Sequence, residues 1–204
     1  MRGERGGVMK KIFTILFVIL MLGLCVSCKK ERVREVSLFD TVCTADEALR
    51  VSKNGSAVVF EGMKCTAGDD IWDEFHQKVS RGKPATVLCA HYYVLDKENV
   101  SNALYETEKH LYPKLFFYRV EYDGEVFTVT TRESTEKESD YQEDFKYLMH
   151  YTGDASAQAD FSSYECYVLV DDQTVTWDEI MAGMVSSQSD AGVKHCAVYQ
   201  NTFD

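Results

Sequence analysis

Basic side chains are in short supply. The chain carries 22 Lys and Arg against 33 Asp and Glu, for a net charge of −11. Binding to nucleic acid neutralises phosphates with Lys and Arg, so this balance argues against a nucleic-acid partner. It also predicts repulsion from anionic lipid headgroups. An apolar run long enough to span a bilayer is missing as well. The longest stretch, Ile12–Leu24, falls short of the roughly 20 residues a membrane helix needs. The signatures of familiar chemistry are lacking: the five cysteines after Cys28 form no Cys-x-x-Cys, and there is no His-x-x-x-His, no nucleophile-elbow glycine pattern and no glycine-rich phosphate loop. Internal repeats of solenoid length are absent too.

What is present starts at Met9–Lys30. Lys10 and Lys11 precede the apolar run, and the residues before Cys28 are Leu24, Cys25, Val26 and Ser27. A basic start and a short apolar region are the layout of a secretory signal. The ending looks like a bacterial lipobox, with the small Ser27 just before the acceptor cysteine; it departs from the pattern in having Cys25 where leucine is usual. The expectation is a lipoprotein signal peptide over residues 1–27, with Met9 the preferred initiator over Met1, and a diacylglyceryl anchor on Cys28. The protein would then sit on the extracytoplasmic face of the cell membrane. An ordinary cleaved signal and an uncleaved anchor are the competing readings. Two acyl chains hold stably where one is marginal, so the anchor needs no help from protein surface. Cleavage would remove Arg2, Arg5, Lys10 and Lys11 with only Glu4, leaving the mature chain still more acidic.

Residues 28–40 are charged without apolar periodicity and read as a tether. Residues 41–204 have the length of one domain. Five cysteines follow the anchor: Cys43, Cys65, Cys89, Cys166 and Cys196. An exported domain often carries a disulfide, and Cys43–Cys65 is the pair to test. The other three lie in apolar strands, where cysteine serves as a small core residue.

Thr44-Ala-Asp-Glu47 is a capping box that opens a helix, stopped by Asn54-Gly55. Ala57–Phe60 is a short strand. Gly68-Asp69-Asp70 opens a second helix with an apolar stripe of Ile71, Trp72, Phe75 and Val79. Ala85–Leu95 is apolar on both alternating faces, as a central strand is. Residues 96–112 are ambiguous, a short helix or a covering loop. Lys114–Tyr122 and Glu125–Arg132 flank Asp123-Gly124, the signature of a two-residue type I′ hairpin. Glu133–Asp140 is a charged loop expected to be mobile. Asp144–Tyr151 and Tyr164–Val170 are strands, Thr176-Trp-Asp-Glu179 caps a third helix reaching about Ser187, and Val193–Tyr199 is a last strand. The fold class expected is α+β: a mainly antiparallel sheet with about three helices packed on one face.

Candidate chemistry is sparse. Cys89 and His91 are two apart on one strand and hence share a face; they are the residues an envelope hydrolase or thiol enzyme would use, against a reading as core residues. Asp69, Asp70, Asp73 and Glu74 gather carboxylates, but helix capping explains them, and no metal or cofactor is expected. Twelve tyrosines raise a different possibility. Tyr92, Tyr118, Tyr122 and Tyr147 would form an aromatic sheet face able to bind peptide or glycan, with cross-strand packing as the alternative.

Phe75-x-x-x-Val79, Gly82-Lys83-Pro84-Ala85, Tyr92-Tyr93, Tyr122-Asp-Gly124, Lys146-Tyr-Leu148 and Thr176-Trp177, spread over Asp70–Tyr199, together resemble a group of small uncharacterised lipoproteins of Gram-positive bacteria. The resemblance implies an acylated protein outside a single membrane and carries over no catalytic residue. The function expected is a non-enzymatic, membrane-tethered domain that binds an envelope protein, peptide or cell-wall ligand.

Overall fold

The computed structural model describes residues 38–138, 141–157, 159–185 and 192–204. The signal peptide, Cys28 and the tether up to residue 37 lie outside the described residues, as does the expected end of the last helix near Ser187. Leu38–Asp204 forms one unit.

The first helix, α1 (Ala45–Ser52), begins with the expected capping box: Thr44 Oγ1 accepts from Glu47 N at 3.3 Å, and Thr44 N donates to Glu47 Oε2 at 3.2 Å. It leads into β1 (Val58–Glu61), which folds back on β2 (Lys64–Ala67). Sequence reading misses β2, because Lys-Cys-Thr-Ala alternates only weakly and has no aromatic or β-branched run. Gly68 then starts α2 (Asp69–Val79) with φ +85°, a left-handed backbone that suits glycine. A Cβ at this position would lie 2.5 Å from the Ala57 carbonyl oxygen.

β3 (Ala85–Tyr93) pairs in parallel with β1 and antiparallel with β4 (Lys114–Tyr122), which pairs with β5 (Phe127–Glu133), which pairs with β6 (Tyr141–Phe145). The sheet order is β2-β1-β3-β4-β5-β6. The β4–β5 connection is not the two-residue type I′ turn expected. Tyr122 faces Phe127, so the loop has four residues, and Gly124 has positive φ while Asp123 does not. The Asp123 carboxylate instead accepts from the backbone N–H groups of Glu125 and Val126, both at 2.8 Å. This side-chain turn substitutes for the backbone turn that Asp-Gly advertises.

A second sheet, β7 (Tyr147–Asp154), β8 (Ser163–Val170) and β9 (His195–Phe203), is antiparallel throughout. The run expected as one strand, Asp144–Tyr151, is therefore divided between two sheets by a bend at Lys146. Alternation continues across the bend without Gly or Pro, so nothing local marks it.

The expected single sheet with helices on one face is also corrected. Val58, Phe60, Val87, Cys89 and Val120 pack against Trp72 and Phe75 of α2 and against Tyr167, Leu169 and Tyr199 of the second sheet. On the opposite face, Val59, Leu88, Ala90 and Phe117 pack against Ala45 and Ala48 of α1. A third cluster places Val175 and Ile180, at the start of α4 (Trp177–Val185), against Cys166, Val168 and Val170 on the far side of the small sheet. Strands apolar on both faces need cover on both, and β1 and β3 are such strands. Among the described residues there are four α-helices, the remaining one being α3 (Asn102–Glu108), between β3 and β4. The chain is α+β and mainly sheet.

Leu38 and Phe39, inside the expected tether, are buried in the α1-face cluster. The charged loop after β5 is held where it begins. Ser134 is fully buried; its backbone N–H donates to Leu115 O at 2.9 Å and its carbonyl accepts from Cys43 N at 2.9 Å.

Candidate functional site

Cys89 and His91 lie where their spacing puts them, on one face of β3, and that face is the interior. Cys89 is completely buried and His91 is 3% exposed. The imidazole is enclosed by Phe60 on one side and Tyr118 on the other, each with centroids 4.6 Å away. Burial pushes the His91 pKa down to about 3, so the ring is neutral at ordinary pH. A thiol and a neutral imidazole at this depth meet no substrate.

The four tyrosines do not form one surface. Tyr92 lies on the α1 face and donates to Asp46 Oδ1 at 2.8 Å. Tyr118 and Tyr122 lie on the opposite face, packed against the core; Tyr122 stacks on Phe127 at 4.4 Å and donates to Gly124 O. Tyr147 belongs to the second sheet and is exposed. Alternation assigns strand faces but not which face meets water, and two sheets defeat a reading that assumes one.

Cys43 and Cys65 are free thiols. Cys43 packs in the α1-face cluster and Cys65 in the cluster on the other side of the sheet, so the expected pair cannot close. Burial, with Asp69 beside it, pushes the Cys65 thiol up to about 12. The acidic helix start has structural partners: Asp69 accepts from Tyr199 OH at 3.3 Å and Glu74 pairs with Lys78. Among the described residues no group of three His, Cys, Asp or Glu side chains is placed to hold a metal ion.

Two arrangements were not visible in the sequence. In the first, His150 stacks flat on Tyr167 (4.3 Å, 11°) with Nε2 2.8 Å from Glu165 Oε1, while His76 meets the same tyrosine edge-on at 4.9 Å. Tyr167 is buried, and the group reads as a half-exposed packing contact between α2 and the small sheet.

The second is the excursion between β3 and β4. Ser101 caps α3 by accepting from Leu104 N at 3.2 Å, and the Asp96 carboxylate holds the preceding turn through Glu98 N and Asn99 Nδ2. Neither α3 nor the 3₁₀ turn that follows it (Lys109–Leu111) buries a residue. Val94 is 64% exposed, Leu104 42% and Leu111 50%. All three stand on the same excursion, and large apolar side chains left to water are candidates for a contact surface. Val94 also lines a depression of about 200 Å³, together with Leu95, Tyr105, Lys109, Tyr112 and Pro113. Lys97 lies over the Tyr105 ring at 5.5 Å and Lys114 over the Tyr112 ring at 6.0 Å. The sequence carried one trace of this: Leu104-Tyr105 and Leu111-Tyr112 recur at seven residues, two helical turns apart.

No family model, no curated protein sequence and no solved structure matches the chain.

Proposed function

We propose that this chain is an extracytoplasmic lipoprotein, held in the cell membrane by a diacylglyceryl group on Cys28, whose α+β domain binds an envelope protein, peptide or cell-wall ligand without chemical turnover. The signal-like start and the lipobox ending at Cys28 support the tether. The binding role rests on one observation: the excursion between β3 and β4 presents apolar and aromatic side chains around a depression, and Val94, Leu104 and Leu111 stay open to water there.

The alternative, an envelope hydrolase or thiol enzyme using Cys89 and His91, needs both side chains to reach a substrate, and both are buried. No observation favours it.

Metabolic labelling with an acyl analogue tests the tether. Cys28→Ser is expected to abolish the label, and a label that persists would refute the assignment. Pull-down with the intact protein from solubilised membranes tests binding; an empty pull-down counts against it.

A further inference from the structure

We infer that the free edge of β7 is the surface on which a second copy of this chain docks, the two β7 strands pairing antiparallel about a two-fold axis. The inference is independent of the binding reading above and makes no use of the β3–β4 excursion.

A sheet edge presents a row of backbone donors and acceptors, so what fits it is another extended strand. The two sheets have four edge strands, β2 and β6 in the larger and β7 and β9 in the smaller. β2 and β9 meet each other: Asn201 Oδ1 accepts from Cys65 N at 3.1 Å, and Gln200 Nε2 donates to Gly62 O at 2.9 Å. β6 is five residues long and carries Glu143 and Asp144. Lys194 crosses it, with Nζ donating to Asp144 O at 2.6 Å. Cover, short length and charge are the ordinary protections of an edge. β7 has none of them. It runs eight residues, with no Lys, no Pro and no break in its register with β8. Among the described residues, no backbone N–H or C=O of β7 has a hydrogen-bond partner outside β8, and β8 is the only element that runs along it.

Charge and symmetry select the second copy. The chain carries a net charge of −11, so two copies repel over most of their surface. β7 has one carboxylate, Asp154 at its end, and His150, whose Nε2 lies 2.8 Å from Glu165 Oε1 on neighbouring β8. Antiparallel pairing of β7 with itself sets the two Asp154 side chains at opposite ends of the new ladder, roughly 20 Å apart at the rise of a strand. That exceeds the screening length in physiological salt. The exposed Tyr147, His150 and Thr152 gain cross-strand neighbours. Such a contact uses the same patch on both copies and closes at two, since each copy has one such edge.

The experiment is sedimentation equilibrium of the full-length protein in density-matched detergent, with micelles in excess, up to about 0.5 mM protein. A monomer–dimer equilibrium is expected. Amide hydrogen exchange within β7 is expected to slow as the dimer forms, with the other strands unchanged. The double variant Tyr147→Lys/Thr152→Lys is expected to weaken dimerisation at least about tenfold. Gln142→Lys, on the β6 edge, is expected to leave it unchanged. Thermal midpoints report whether each fold is kept, and Thr152→Lys alone carries the test where the double variant does not fold.

A protein that stays monomeric up to about 0.5 mM would overturn the inference. So would dimers that a folded variant forms equally well, protection confined to other strands, or growth beyond two copies. A monomeric chain whose pull-down partner is lost in the double variant would assign the edge to a strand of that partner and overturn the second copy. An empty pull-down alongside a β7-paired dimer would sink the binding reading and support this one.

Discussion

The imidazole of His91 stacks on the Phe60 ring with centroids 4.6 Å apart and planes 24° from parallel, and its Nε2 is buried without a hydrogen-bond partner. Such a ring is tolerated only while uncharged.

Acid stability follows from that pair. Burial depresses the folded pKa of His91 to about 3, from an ordinary histidine value of 6.5. The unfolded chain therefore binds a proton that the folded chain refuses. Stability is whole above about pH 6.5 and falls as pH drops toward about 3, by up to about 1.4 kcal/mol per pH unit. Urea unfolding from pH 7 to pH 4 should show this slope, and His91→Phe should flatten it. Parallel curves for the two proteins would refute the account.

Phe39 should behave as a core residue and not as part of a tether. Its ring lies under the Arg119 guanidinium at 4.5 Å and packs on Phe117 at 6.4 Å. Arg132 ties the same region together through Thr41 O and Glu136 O. Phe39→Ala is expected to cost about 3–5 kcal/mol, the range for a buried Phe truncation. Chemical denaturation measures it; a loss below about 1 kcal/mol would put Phe39 outside the core.

Gly68→Ala should destabilise strongly. The left-handed backbone there penalises any Cβ by about 1–2 kcal/mol, and the Ala57 carbonyl would sit 2.5 Å from it. A thermal midpoint within experimental scatter of the parent would contradict the close approach of α2 to β1.

The thiols should be protected unequally. Burial pushes Cys196 to about 12 and Cys166 to about 11, and the thiolate is the reactive species. Alkylation of the folded protein is expected to leave Cys89, Cys166 and Cys196 unmodified until denaturant is added. Mass analysis without reductant should find no Cys43–Cys65 crosslink; finding one would require the two sides of the sheet to rearrange.

Removing a cap offers a milder test. The Thr176 N–H donates to Glu179 Oε2 at 2.8 Å, and Thr176 Oγ1 accepts from Glu179 N at 3.4 Å. Thr176→Ala should cost about 1 kcal/mol and Thr176→Ser much less. Equal losses in calorimetry would show that the hydroxyl is not the source.

By itself the sequence determined what is local: both capping boxes, the Trp72–Phe75 stripe of α2, the central position of β3, the β4–β5 hairpin and the α+β class. These depend on interactions within a few residues or on an apolar period, which composition and spacing carry. Only tertiary structure decided what depends on how faces are covered. The bend at Lys146 sends β7 into a second sheet, that sheet and α2 bury one face of the larger sheet, and α1 buries the other. This layering places Cys43 and Cys65 on opposite sides and distributes the tyrosines over separate surfaces. It also leaves Val94, Leu104 and Leu111 as apolar residues open to water. Strand alternation assigns side chains to two faces, and which face meets core or water is set by elements distant in the chain.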